Sequence, residues 1–222
     1  MEKIKKILLF SIIVIVVGSI MAVIIIEAEK KNMINKDENQ NIVTEITNAE
    51  PTEDSLRFKK EYEEINGTIR EKDGMMYNNV SISEINPIKY INLEELIDIL
   101  KNKNGIVFLS SATCPYCRAS IPTLLSVSKK LNIDTIYYYD ISSEDEGSEL
   151  MQELNNYGIV EKNESGRNVW KIPQLLNIKN GEIVASAKGA MYELEAGQSK
   201  YDKLTKKQEN DIYNVYSQVI IK

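Results

Sequence analysis

The sequence predicts an α/β domain, a mixed central sheet flanked by helices, joined to an N-terminal transmembrane helix. Three observations predict it. The apolar run Gly105-Ile106-Val107-Phe108-Leu109 reads as a buried strand, and Arg118 to Leu131 follows it as a helix with Ile121, Leu124, Leu125, Val127 and Leu131 along one face. A strand–helix pattern lies before this run, so successive strands are joined by crossover helices. Further on, Asn180-Gly181 separates two strand-forming segments, and Asn-Gly between such segments is the strongest short hairpin signal.

The amino terminus is a different material. Ile7 to Ile26 is apolar apart from Ser11, Gly18 and Ser19 and carries no charge. About 20 residues at ~1.5 Å rise cross a ~30 Å hydrocarbon core. Lys3, Lys5 and Lys6 precede it, which by the positive-inside rule keeps residues 1–6 cytoplasmic and sends the remainder outward. The expectation is an uncleaved signal anchor in the cell membrane, a single pass through the lipid bilayer at residues 7–26. A cleaved signal peptide is the rival reading, but the apolar region is long for one and no small-x-small site follows it. Residues 27–55 are mostly Glu, Lys, Asn, Asp and Thr with isolated Ile and Val, a composition that predicts a disordered tether. The extracytoplasmic domain is expected over residues 56–222.

Within that domain, Leu56 to Ile65 has weak helical spacing and stops at Asn66-Gly67. Val80-Ser81-Ile82 and Ile88-Lys89-Tyr90-Ile91 read as short strands. Asn92 and Glu95 have the spacing of a capping box, opening a helix that ends at Asn104-Gly105. After the helix at 118–131 come a strand at Thr135 to Asp140 and a helix through Leu150 and Leu154. Lys162 to Arg167 is a polar turn. Strands at 172–178 and 183–187 form the hairpin, and Thr205 to Ile221 is a closing helix with Ile212, Val215, Tyr216, Val219 and Ile220 at helical spacing.

The residues able to do chemistry are few. The formal charge is -6, so no basic surface is available for nucleic acid. There is no histidine, which removes Ser–His and Cys–His catalysis and nearly all ordinary zinc sites. The only two cysteines stand together as Cys114-Pro115-Tyr116-Cys117, between the buried run and its helix. Backbone N–H groups and the positive dipole end at a helix start favour thiolate over thiol. Such surroundings lower a thiol pKa from ~8.5 to roughly 3.5–7.5. As a structural staple the pair has little value, because a disulfide closing a four-residue turn restricts little chain. The chemistry indicated is thiol–disulfide exchange, with Cys114 attacking and Cys117 resolving, and no metal or other cofactor.

These residues resemble the thioredoxin superfamily beyond the C-x-x-C pattern. Pro122 lies five residues after Cys117, like the proline inside the thioredoxin active-site helix. Ile172-Pro173 resembles the family's cis-proline, and Pro173, Gly181 and Gly189 are spaced by eight and eight, as in thioredoxin. The resemblance covers roughly Ile88 to Gly189 plus the last helix. The layout with an anchor and tether resembles membrane-anchored thioredoxin-like proteins of Gram-positive bacteria, including bacteriocin transport accessory proteins. Three departures stand beside it. Pro115-Tyr116 is the glutaredoxin choice of dipeptide, about fifteen extra residues lie between the cysteine helix and Pro173, and the buried aspartate of thioredoxin falls on Phe108.

The resemblance implies an extracytoplasmic thiol–disulfide oxidoreductase acting on thiols or disulfides of exported proteins, served by a membrane electron donor or acceptor. It implies that Pro173 shapes the substrate cleft and that the Ile172 backbone pairs with an extended substrate segment. Tyr116 and Trp170 are expected as an apolar rim, with core packing an equal reading for Trp170. A non-catalytic accessory or chaperone-like role in peptide export is the alternative.

Overall fold

The computed structural model describes residues 50–143 and 149–222. The expected membrane anchor and most of the tether lie outside these residues. Among the described residues, no helix is long and apolar enough to cross a membrane.

Five strands form the main sheet: β1 (Ile88–Tyr90), β2 (Gly105–Ser110), β3 (Ile136–Asp140), β6 (Gln174–Lys179) and β7 (Glu182–Lys188), in the spatial order β1-β3-β2-β6-β7. The first three strands run parallel, while β6 pairs antiparallel with both β2 and β7. Strand β2 is central and buried on both faces, which is why it reads as an unbroken apolar run rather than an alternation. A separate two-stranded sheet, β4 (Val160–Lys162) with β5 (Asn168–Trp170), brackets the polar turn.

Alternation along the strands divides the core in two. One face presents Ile88, Ile106, Phe108, Ile136, Tyr138 and Leu175 to three helices, α1 (Glu53–Glu63), α3 (Pro115–Lys130) and α5 (Lys206–Ile221). The other presents Val107, Leu109, Tyr139, Leu176 and Ile178 to α2 (Leu93–Asn102) and to Leu154 of α4 (Glu149–Asn156). The product is a three-layer α/β/α domain.

Local chemistry sets the boundaries. The Asn92–Glu95 capping box opens α2 as the spacing predicts, and Thr205 with Gln208 makes a second one at α5. The β6–β7 turn needs Gly181: its φ is 77°, and a Cβ there would overlap the Lys101 carbonyl oxygen at the end of α2. Asn177 on β6 donates to the terminal carbonyls of α5 at Val219 (2.9 Å) and Ile220 (3.1 Å), fixing that helix to the sheet.

Two local expectations need correction. Residues 80–82 are not a strand. Their N–H groups are taken by side chains from the end of α1, Val80 by Asn66 Oδ1 (2.9 Å) and Ile82 by Glu63 Oε1 (2.7 Å), so no partner strand is needed. The order expected to begin at residue 56 begins earlier. Thr52 caps α1, and Ser55 is fully buried, donating to Glu84 O at 2.6 Å.

Candidate active site

Strand β2 delivers the chain to the site. Past Ser110, Ser111 organises the loop. Its hydroxyl lies 3.0 Å from Thr113 Oγ1 and 2.7 Å from Ser142 Oγ, beyond the end of β3, and its carbonyl accepts from Cys114 N–H at 3.1 Å. Cys114 is the N-cap of α3, with extended backbone angles (φ -85°, ψ 120°), and Pro115 fills the first helical turn, where a missing N–H is harmless.

The two sulfurs occupy opposed environments. Cys114 is half-buried, and its Sγ accepts from Cys117 N–H at 3.3 Å. Its pKa is lowered: the Cys117 thiol hydrogen-bonds it, the N–H groups of Cys117 and Tyr116 point at it, and the Arg70 charge adds to them, together outweighing burial. Cys117 has no exposed surface, and its thiol is pushed well above the ordinary value. Burial is the main cause, and the hydrogen bond to Cys114 and its charge add to it. The Ser110 hydroxyl and Ser111 N–H partly offset this by hydrogen-bonding the Cys117 sulfur. A low-pKa, reachable sulfur three residues before a protonated, buried one suits a nucleophile and a resolving thiol.

The other expected residues are placed as follows. The register pairs Leu109 with Gln174, which brings Pro173 to the end of the sheet from which the cysteine loop departs. The Ile172–Pro173 peptide bond is cis. Tyr116 is half-buried on the α1/α3/α5 side, its ring centroid 6.1 Å from that of Tyr192. Trp170 packs instead on the α2/α4 side with Ile172, 6.1 Å from the Tyr139 ring. Tyr116 and Trp170 therefore join opposite core clusters, and the aromatic neighbour of Tyr116 is Tyr192. Phe108 is fully buried among Tyr138, Tyr216 and aliphatic side chains, so the position of the family's aspartate is apolar here. Among the described residues no group of three acidic or thiol side chains converges as metal ligands.

A parallel-to-antiparallel sheet of this order, with the cysteine pair opening the helix after its central strand and a cis-proline heading the next strand, decides the architecture. It matches the thioredoxin fold that the sequence resemblance implies. Solved structures of thioredoxins are similar to it. Thioredoxin from Aeropyrum pernix is 29% identical over 46% of this chain and 75% of its own, with a TM-score of 0.32. Thioredoxin O2 from Arabidopsis thaliana in the oxidized state is 22% identical over 47% and 84%, with a TM-score of 0.33. Thioredoxin O1 from the same plant, also oxidized, is 15% identical over 47% and 87%, with a TM-score of 0.31. No protein-family model matches the chain, and no curated protein does.

Several residues of this thioredoxin-fold site escape sequence reasoning. Arg118, next to Cys117, is wholly buried and makes five hydrogen bonds, all to neutral oxygens. Nε (3.0 Å) and Nη2 (2.8 Å) donate to Asn78 O, Nη1 to Tyr62 O (2.8 Å) and Ala112 O (3.2 Å), and Nη2 also to Asn66 Oδ1 (2.6 Å). Its burial was signalled by its place three residues before Ile121 on the apolar stripe of α3. Tyr62, Ser110, Arg70 and Tyr192 also bear on the electrostatics of the pair. Of these, Tyr62 had a signal, spacing with Phe58 on one face of α1.

Proposed function

We propose that this protein is a membrane-anchored, extracytoplasmic thiol–disulfide oxidoreductase acting on exported proteins through Cys114 and Cys117. The observation that carries the chemistry is the opposed environment of the two sulfurs, Cys114 capping a helix with its pKa lowered and Cys117 buried with its pKa raised. The apolar segment at residues 7–26, preceded by three lysines, supports the anchor and its orientation.

In the reducing direction, the Cys114 thiolate attacks one sulfur of a substrate disulfide. That bond breaks, a substrate thiolate leaves and takes a proton, and a mixed disulfide joins Cys114 to the substrate. Cys117 then gives up its proton and attacks Cys114 Sγ. The mixed disulfide breaks, the second substrate thiol departs with the proton, and a Cys114–Cys117 disulfide holds the two-electron oxidation. The reverse sequence oxidises a substrate dithiol. A membrane electron donor or acceptor resets the pair. Pro173 and the Ile172 backbone would border the bound substrate segment, with Tyr116 on the near rim and Trp170 behind Ile172.

Insulin reduction with dithiothreitol as electron source tests the chemistry, and mixed-disulfide trapping with Cys117→Ser in cells tests the client. Turnover abolished by Cys114→Ser, and an adduct on Cys114 to an exported protein, are expected. A dithiol inert toward insulin, together with biological activity that survives loss of both cysteines, would leave only an accessory role in peptide export. Labelling of Cys114 by a membrane-impermeant maleimide in intact cells tests the topology; labelling only after lysis would refute the extracytoplasmic assignment.

A further inference from the structure

The turn that carries Cys114 is hung on one residue. Ser111, the first past β2, is buried, and two successive N–H groups of the turn point at it. Its carbonyl accepts from Cys114 N–H at 3.1 Å, and its Oγ accepts from Thr113 N–H at 3.3 Å. Arg118 Nη1 holds the Ala112 carbonyl between them at 3.2 Å. Cys117 needs no such support, because it sits without exposed surface inside α3. Of the two sulfurs, Cys114 is the one whose place depends on loop residues.

Ser111 is in turn fixed from the neighbouring strand. The register pairs Ser110 with Asp140, the last residue of β3, so the backbones leaving the two strands start side by side. Two residues on, the Ser142 N–H (2.9 Å) and hydroxyl (2.7 Å) both donate to Asp140 Oδ1. Ser142 Oγ lies 2.7 Å from Ser111 Oγ, which lies 3.0 Å from Thr113 Oγ1. A hydroxyl has one proton to donate, and that fixes the direction of every bond. Ser142 donates to Asp140, so toward Ser111 it can only accept. Ser111 therefore donates to Ser142 and can only accept from Thr113. The line runs one way, from Thr113 through Ser111 and Ser142 to Asp140 at the sheet, and hydrogen bonds aligned in this way polarise one another.

We propose that Ser142, oriented by Asp140, is a positioning residue for thiol–disulfide exchange, holding Cys114 through Ser111 where Cys117 can reach it. The inference rests on the dithiol reading above. In the resolving step Cys117 attacks Cys114 Sγ in line with the bond that breaks, an alignment that a loose turn meets only part of the time. Attack by Cys114 on an outside disulfide has no such requirement, because the incoming partner can adjust. The lock acts before exchange begins: in the reduced pair Cys117 N–H already donates to Cys114 Sγ at 3.3 Å.

The test is stopped-flow reaction of the full-length reduced chain, in mild detergent, with an equimolar amount of Ellman's reagent. The Cys114 thiolate attacks the reagent, one aromatic thiolate leaves, and the other half stays on Cys114. Cys117 then loses its proton to solvent and attacks Cys114 Sγ. The second aromatic thiolate leaves and the Cys114–Cys117 disulfide closes. The readout is the rate of the second release relative to the first. Ser111→Ala should lower this ratio about twofold to tenfold, the factor carried by a hydrogen bond between neutral groups. Ser142→Ala should lower it about twofold to fivefold, since Ser142 is exposed and water takes part of its place. Asp140→Ala, which leaves the Ser142 hydroxyl unaimed, should act by a similar factor. Ser142→Thr, which keeps the hydroxyl, should leave the ratio at its wild-type value. An unchanged ratio in Ser142→Ala or in Asp140→Ala overturns the proposal. So does a ratio that falls as far in Ser142→Thr as in Ser142→Ala, which would make Ser142 ordinary packing at the strand end. A wild-type chain that completes the first release and never the second refutes the dithiol reading itself, which is a separate result.

Discussion

Replacing Arg118 with leucine should destabilise the domain by about 3 kcal/mol, against a total of ~5–15 kcal/mol for a domain of ordinary stability. The substitution strands the buried Tyr62 carbonyl and takes a donor from the half-buried carbonyls of Asn78 and Ala112. Asn66 Oδ1 is less affected, because it keeps the Val80 N–H at 2.9 Å. An unsatisfied buried acceptor costs about 1–3 kcal/mol, so roughly 3–9 kcal/mol is an upper bound for the three, lowered by water at the half-buried Asn78 and Ala112 carbonyls. Against it stands the relief of no longer burying a guanidinium, a penalty of several kcal/mol that no carboxylate contact offsets here. The lower part of the gross range is therefore the expected net. At ~2–4 °C per kcal/mol for a domain of this size, melting falls by about 6–12 °C. Arg118→Lys should do no better, since an ammonium keeps the buried charge but cannot fork across Tyr62, Ala112, Asn66 and Asn78. Circular dichroism melts of the reduced proteins measure this, with limited proteolysis between residues 66 and 79 as a local readout. Both variants melting within about 2 °C of wild type would show that the network is energetically idle and the reasoning wrong.

Three further outcomes are expected. The first cause of the lowered Cys114 pKa is the Cys117 thiol, so Cys117→Ala should raise the pH midpoint of Cys114 alkylation by iodoacetamide and Cys117→Ser should largely preserve it; equal midpoints in the two variants would refute that cause. In Cys117→Ser, stability from Cys114 ionisation is fully present above the unfolded thiol value of ~8.5 and lost as pH falls through the lowered folded value. Urea unfolding should therefore show stability rising with pH across that window, and the rise should vanish when Cys114 is also made serine. Gly181→Ala forces a side chain into left-handed backbone and into the Lys101 carbonyl, and should destabilise by at least about 2 kcal/mol in the same assay.

Much of the fold is legible because its signals are short-range. The Asn92–Glu95 box, the Asn180-Gly181 turn and the unbroken apolar run of β2 each need only a few neighbours to be read. What escapes depends on partners far along the chain. Val80 and Ile82 are buried, as strand residues would be, yet their N–H groups go to Asn66 and Glu63, and no local pattern separates that from pairing in a sheet. Strands β4 and β5 are three residues each around a polar turn, too short for alternation to show. In the site, the cysteine pair and Pro173 were readable from spacing. Ser110 and Tyr62 were not, because a serine ending a strand and a tyrosine on a helix look ordinary until the sheet brings them within 2.8 Å.

These long-range partners tie the segment from Thr52 to Ile82 to the sheet and to the cysteine helix. Phe58 and Tyr62 cover the sheet face at Tyr138, and Asp54 Oδ2 accepts from Tyr90 N–H at 3.0 Å on the edge strand β1. Asn66 and Asn78 receive Arg118 from the cysteine helix, and Arg70 adds its charge to Cys114. A spacer between membrane and domain would need none of these contacts. Truncation to the thioredoxin-like stretch alone would take Phe58 and Tyr62 from the Tyr138 ring and remove the Tyr62, Asn66 and Asn78 acceptors of Arg118 together. Effects on sheet packing and on the Arg118 network would then be inseparable, so a single substitution such as Arg118→Leu is the informative perturbation.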